Sequence, residues 1–330
     1  MITVRSAGIK GLGVFAVGTI LRGTRIFTEH PLLGITHSQG PKHVFSAFKA
    51  LPAGNRSKLT VLSASANKEL GLMRWTHVLW YTLSKPTLPR HDDLRQHRHV
   101  LDIFRSNAFS LNEDSMYSQA IFPTIARLNH ECVPNAQANF NDKLNAMNVH
   151  AIRDIEPEEE VTISYLDDAG ELSASDRQDR LVSYGFKCAC PICVAGDPYA
   201  IASVRRRQAI HDVMHSFQTS DAQAQRVPGK ARELEALLQI INLMRAEGLV
   251  GRELSARCAV AARWYHELGN SKMAFEWASR GLAIDGYALG LDHDTYLENK
   301  VKVEHYRSMH QNSLDGGYSA SDDDMVGAHA

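Results

Sequence analysis

The sequence has no dominant charge: 36 basic residues against 37 acidic ones leave a formal net charge of -1 over 330 residues. That removes any global argument for binding nucleic acid directly or for lying on an anionic membrane surface. It also lacks an uncharged apolar run approaching the roughly 20 residues a bilayer crossing requires. No secretory signal is expected, because Met1 runs directly into ITVRSAGIKGLGVFAV, which already alternates like strand. A cytosolic or nuclear location is the expectation. Cysteine is scarce, five in all, and residues 42–105 contain none. The glycine stretch KGLG, Lys10 to Gly13, has no third glycine and no helix after it, so it is not a dinucleotide fingerprint, and a P-loop is absent here too. What KGLG permits is a hairpin turn, or a backbone passing close to a ligand.

What is present is the composition of a soluble globular protein, 44% hydrophobic and 22% charged, at a length sufficient for two domains that each bury a core. Residues 1–36 read as short strands: ITVR, GVFAV and TRIFTEHPLLGIT are apolar and β-branched, divided by SAGIKGLG and LRGT. From 42 to 105 the pattern turns helical, through KHVFSAFKAL, the strongly apolar LMRWTHVLWYTL and the more polar HDDLRQHRHVLDIFRS. NAFSL reads as strand, AQANFN and LNAMNVHAIRDI as a hairpin around Asp142-Lys143, and EVTISYL as a further strand. SASDRQDRLVSY reads as a helix with Ser175 and Gln178 forming a capping box. After Ala200 strand signal fades, and four or five helices fit, over 201–218, 230–247, 251–268, 271–284 and 293–309. The end, with Gly-Gly, Ser and Asp322-Asp323-Asp324, has the composition of a disordered acidic tail.

Four of the cysteines point to metal. Cys188, Cys190 and Cys193 fall within six residues, and a chain without an export signal favours metal over disulfide for such a group. Thiolates suit zinc, which takes four ligands in a tetrahedron when structural, and Cys132 is the available fourth. The alternative is a group of small buried residues with reduced thiols. Cys258 lies in a helical stretch and reads as a buried, inert thiol. Asn107, Asn129, His130, Tyr165, Tyr184 and Phe186 form a polar and aromatic set whose members, taken singly, also read as packing.

Taken in order, SAGIKGLGVFA, NAFSL, FPTIARLNHECVPNA, RDIEPEEEVTISYLD and RQDRLVSYGFKCACPIC resemble the SET-domain protein lysine methyltransferases, in particular a SET-MYND-like branch of fungal type without the MYND finger. The resemblance covers residues 1 to about 196. It implies an α+β fold, a SET-domain β-clip whose two central stretches form a pseudoknot. A helical insert at 42–105 and a post-SET zinc loop at 185–196 lie within residues 1–200. An all-α tetratricopeptide-like lobe at 201–312 and the disordered tail at 313–330 follow. It also implies S-adenosylmethionine as methyl donor and one structural zinc ion on Cys132, Cys188, Cys190 and Cys193. Lys10, Gly11, Leu12, Asn107, Asn129, His130, Tyr165 and Phe186 would hold the donor. Tyr165 would be catalytic, and Tyr184 and Phe186 would line the lysine channel. The implied partner is a protein or peptide lysine, in a histone or elsewhere, met by a monomer.

The chain departs from the family pattern at Glu131, where Ser is common, and at Phe122, where Tyr is common. A charge at Glu131 beside the cofactor loop would weaken donor binding, unless the side chain faces solvent. That departure motivates a rival reading, a catalytically silent SET scaffold built around zinc and helices. A zinc-finger nucleic-acid binder is disfavoured, since no basic face or recognition helix accompanies the cysteines. The run Glu156, Glu158, Glu159, Glu160 reads either as a solvated turn or as an attractor for a basic substrate segment. The helical lobe, with its pair of helices around Leu268-Gly269-Asn270, reads equally as a wall of the substrate cleft or as a stabilising scaffold.

Overall fold

The computed structural model describes residues 1–64, 91–113, 115–167, 172–194, 198–223 and 229–318, with residues 79, 83 and 170 besides. The apolar run LMRWTHVLWYTL therefore lies outside the described residues, apart from Leu79 and Leu83. The chain divides into two compact units: Met1–Asp167 with Ala174–Cys193, and Asp168–Ser173 with Val194–Ala330.

The first unit is built from short strands. β1 (Ile2–Ser6) and β2 (Leu12–Ala16) form a hairpin, followed by β3 (Arg25–Glu29) and β4 (Leu33–Ile35). The stretch TRIFTEHPLLGIT is two strands, not one, because Pro31 has no N–H to give to a ladder. α1 (Val44–Ala50) and α2 (Ala53–Thr60) are likewise separated at Leu51, which precedes Pro52 and is extended at ψ 146°. α3 (His91–Asn107) leads into β5 (Ala108–Ser110), then β6 (Gln119–Ile121), β7 (Asn129–His130), β8 (Ala136–Asn141), β9 (Ala146–Ala151) and β10 (Glu160–Ile163). α4 (Ala174–Leu181) closes the unit ahead of the cysteines.

These strands make three small sheets, ordered β1-β2-β10-β7, β3-β9-β8 and β4-β6-β5. All pairings between the named strands are antiparallel except β7 with β10. The expected hairpin around Asp142-Lys143 is present, its turn closed by Asn145 in the left-handed region and by Leu144 N–H donating to Asn141 Oδ1. Val14, Ile26, Phe122, Leu128, Val149 and Val161 fill one core, drawn from the first two sheets and the β6–β7 segment. A second core joins the helices to the third sheet, with Val44, Phe45 and Phe48 of α1 meeting Val100, Leu101 and Ile103 of α3 and Leu33, Ile35 and Ile121. Each such side chain contributes about 1.5–3 kcal/mol on burial.

Two local expectations are corrected. α4 begins at Ala174, so Ser175 lies inside its first turn and is not the cap. Gln178 is directed elsewhere: its amide exchanges two hydrogen bonds with the Cys188 backbone, at 2.8 and 3.0 Å. The last helix runs to Tyr318, past the expected boundary at 313, and Ser313 is held by Ser271 at 3.1 Å. Residues 319–330 lie outside the described residues.

The second unit has five helices among the described residues: α5 (Pro198–Gln223), α6 (Lys230–Glu247), α7 (Arg252–Glu267), α8 (Ser271–Ala288) and α9 (Asp294–Tyr318). Gly248, at φ 84°, ends α6 in the left-handed conformation that returns two N–H groups to its last carbonyls. Asn270 starts α8 by accepting from Met273 N–H at 3.0 Å. α7 and α8 approach closely at Gly281, where a Cβ would stand 3.3 Å from Cys258 Cβ and from the Ser255 carbonyl oxygen. Cys258 is buried there, and burial pushes its thiol up to about 11, as an inert cysteine requires.

One buried ionic group links α5 to α6. Glu247 is fully enclosed and accepts from Ser203, from Arg206 Nε at 2.7 Å and from Arg207 Nε at 2.7 Å. Burial alone raises this carboxyl, but the Ser203 hydrogen bond and the two arginines outweigh it and hold the group below its ordinary value. Its contribution to stability is therefore complete above the usual carboxylate range and is lost as pH falls through the lowered value. Glu247→Gln leaves Arg207 buried without its counter-charge, which costs about 3–5 kcal/mol. Urea unfolding should show that loss at pH 7, and the variant should lack part of the acid-side decline of the unaltered protein.

Candidate functional site

β10 is the centre of the first sheet, antiparallel to β2 on one side and parallel to β7 on the other. The parallel register sets Thr162 against Asn129 and Ile163 against His130, so the two motif stretches expected to lie together do so. Glu131 N–H continues the pairing to the Ile163 carbonyl at 3.0 Å. Asn135, fully buried, secures it from below. Its Nδ2 donates to the Glu160 carbonyl at 2.8 Å and to Glu159 Oε1 at 3.0 Å, while its Oδ1 accepts from Thr162 N–H at 2.8 Å.

The glycine loop joins β1 to β2 of this sheet. Gly8–Lys10 form one tight turn, and Gly11, at φ 85°, completes it. A Cβ built on Gly11 would meet nothing within 4 Å, so the backbone of Lys10, Gly11 and Leu12 is open to a ligand laid against it. Lys10 Nζ turns back to Glu160 Oε2 at 2.7 Å. Asn129 Nδ2 donates to Glu160 Oε1 at 2.6 Å and to the Leu12 carbonyl at 3.1 Å. Gly13 makes room for this: a Cβ there would fall 2.5 Å from Glu160 Oε1.

The aromatic residues gather on the far side of β7. His130 is buried, and its ring lies 5.4 Å from that of Tyr165 and 6.1 Å from that of Phe186. Tyr165 contacts Tyr184 at 5.1 Å and meets Phe186 edge-on at 6.1 Å. Its hydroxyl donates to the Leu128 carbonyl at 2.7 Å, and burial, with Tyr184 and Glu160 nearby, pushes that hydroxyl well above its ordinary value. Tyr184 is more exposed and donates to the Tyr165 carbonyl at 3.3 Å; burial, then the charge of Asp167, raises it too. His130 Nδ1 accepts from Tyr165 N–H at 3.0 Å, so a neutral ring carries its proton on Nε2, 3.4 Å from Cys132 Sγ.

The sulfurs of Cys132, Cys188, Cys190 and Cys193 lie within 4.8 Å of one another, with Cys132 at 3.9 Å from Cys188 and 3.7 Å from Cys193. A tetrahedron of zinc–sulfur bonds of about 2.3 Å has edges of about 3.8 Å, so the set fits a closed, structural zinc site. Hydrogen bonds from the other three thiols, with a further one from Arg177, hold Cys193 well below its ordinary value. Arg177, almost wholly enclosed, points a guanidinium nitrogen at Cys193 Sγ, 3.8 Å away. Arg177 has no mark in the sequence that ties it to the cysteines, and Gln178, expected in a capping box, serves the cysteine loop instead.

Other residues named from the sequence have specific partners. Asn107 ends α3 in a different sheet region from Asn129, and its Nδ2 donates to the Ile103 and Ser63 carbonyls at 2.7 Å each. Glu131 does not simply face solvent: it accepts from Thr162 Oγ1 at 3.0 Å, and burial raises its carboxyl. The acidic run is not a free turn either. Glu158 pairs with Arg5, Glu159 pairs with Arg153 at 2.6 Å, and Glu160 serves Lys10 and Asn129. Phe122 sits in the core, edge-on to Phe109.

Residues 11–166 match the SET domain. That stretch carries the SET domain. Among curated relatives it is 28% identical to "Histone-lysine N-methyltransferase set5" of Schizosaccharomyces pombe over 302 residues, 91% of this chain and 82% of that one. It is 41% identical over 83 residues to "Histone-lysine N-methyltransferase ATXR2" of Arabidopsis thaliana, and 37% over 94 residues to "N-lysine methyltransferase SMYD2" of Homo sapiens. Those two matches span 24% and 28% of this chain and only 17% and 21% of the relatives' length.

The metal site is directly testable. Elemental analysis of purified protein is expected to find one zinc per chain. Cys188→Ser should reduce that content and lower the thermal midpoint, whereas full zinc retention in the variant would remove Cys188 from the ligand set.

Proposed function

We propose that this chain is an S-adenosylmethionine-dependent protein-lysine N-methyltransferase that acts, as a monomer, on a lysine of a histone or of another protein. The observation that carries the reading is the junction at β7. Asn129 faces an open glycine loop, while the next residue, His130, supports a box of Tyr165, Tyr184 and Phe186. The names of the relatives support the same reaction class.

The donor, when bound, supplies an electrophilic methyl group on a sulfonium. The backbone of Lys10, Gly11 and Leu12 would hold it, with Asn107, Asn129, His130, Tyr165 and Phe186. The glycine opening and the spare amide oxygen of Asn129 suit a molecule that carries an ammonium group. A substrate lysine must be neutral to attack, and its free pKa is about 10.4. Walls of Tyr165, Tyr184 and Phe186 lower that value by stripping water from the ammonium, and a neighbouring sulfonium charge acts in the same direction. The Tyr165 hydroxyl remains protonated, because burial raises it, and its proton is committed to the Leu128 carbonyl. It therefore offers lone pairs that orient the reacting groups and is not a general base. The same rings suit a cationic methylated product.

Methyl transfer from radiolabelled donor to protein lysine is expected, and Tyr165→Phe should reduce it by about a hundredfold or more while calorimetry shows donor binding retained. Donor binding without transfer to any histone or lysate protein would sink the enzyme and leave the silent scaffold.

A further inference from the structure

The acidic run next to β10 contains one residue whose placement is too specific for a solvated turn. Glu160 is 15% exposed at its side chain, and both its oxygens are used, one by Lys10 Nζ and one by Asn129 Nδ2. Asn129 Nδ2 has two hydrogens, and its two partners, Glu160 Oε1 and the Leu12 carbonyl, can only accept. The orientation of the Asn129 amide follows from that chemistry, since the reversed amide would set an oxygen against two oxygens. Asn129 Oδ1 is thereby turned away from both Glu160 and the Leu12 carbonyl and is left to accept from a ligand. Gly13 belongs to the same device, because any side chain there would displace the carboxylate.

We infer that Glu160 is a positioning residue for the methyl donor: through Asn129 it presents an amide oxygen to the donor's ammonium group, and through Lys10 it holds the loop that flanks that group. This rests on the methyltransferase reading proposed above. Glu160 touches no reacting atom. Its effect is on recognition of the amino-acid end of the donor, and it should be silent toward a ligand that lacks that end.

Calorimetric titration with S-adenosylhomocysteine and with 5′-methylthioadenosine, which has no ammonium group, separates this role from general support of the sheet. Glu160→Met keeps the volume and removes the acceptor; affinity for S-adenosylhomocysteine should fall about tenfold or more, with methylthioadenosine binding unchanged. Glu160→Gln keeps an acceptor for Asn129 and should restore most of the loss. Equal weakening toward both ligands in Glu160→Met, or no weakening toward either, would overturn the inference while leaving the enzyme reading intact. Failure of the unaltered protein to bind S-adenosylhomocysteine would overturn both.

Discussion

The parallel pairing of β7 with β10 is two residues long, Asn129 against Thr162 and His130 against Ile163, and the remainder of the site is placed by it. A pair so short cannot stand on ladder hydrogen bonds alone, and parallel pairing is the weaker kind per residue. The support comes from side chains. Asn135 serves as a surrogate strand neighbour, donating and accepting where β10 would otherwise have unpaired backbone. His130 carries the junction past Ile163 by accepting from Tyr165 N–H. Two adjacent positions then face two tasks, Asn129 toward the glycine loop and His130 toward the aromatic box.

The metal site and the aromatic box are joined through one imidazole. The proton arrangement at His130 leaves Nε2 directed to Cys132 Sγ and Nδ1 directed to the Tyr165 backbone, so the ring spans the cysteine cluster and the tyrosine. This is the kind of outer contact that orients metal ligands and is in turn oriented by them. Phe186 lies between Tyr184 and Cys188 in the chain, so closing the thiolate tetrahedron also limits where its ring can go. Gln178 and Arg177 of α4 fix the other side of that loop, by amide pairing and by charge.

The elements legible in the sequence were those written in local patterns. Ligand spacing singled out Cys188, Cys190 and Cys193, alternation the strands, and an ordered motif series Asn129, His130, Tyr165 and Phe186. What stayed hidden depended on partners far apart in the chain. Nothing near Glu160 announces that it serves Lys10, 150 positions earlier, and nothing near Asn135 announces its three partners on β10 and beside it. Asn107 shows the opposite limit: the motif names it, while the amide nitrogen is committed to closing α3. Pro31 marks a strand break that the strong apolar runs on either side mask.

The division of the chain into units has its own consequence. Residues 168–173 belong with the helical unit, yet the chain returns to the first unit at Ala174 before leaving again after Cys193. Tyr165 and Tyr184 are thus separated in the chain by an excursion into the other unit, and Gly170 on that excursion packs against Leu249 and Glu253. Neither unit is a continuous segment, so no single cut yields one of them whole. A truncation that removes everything after Cys193 therefore also strips Gly170, between the two tyrosines, of its neighbours Leu249 and Glu253.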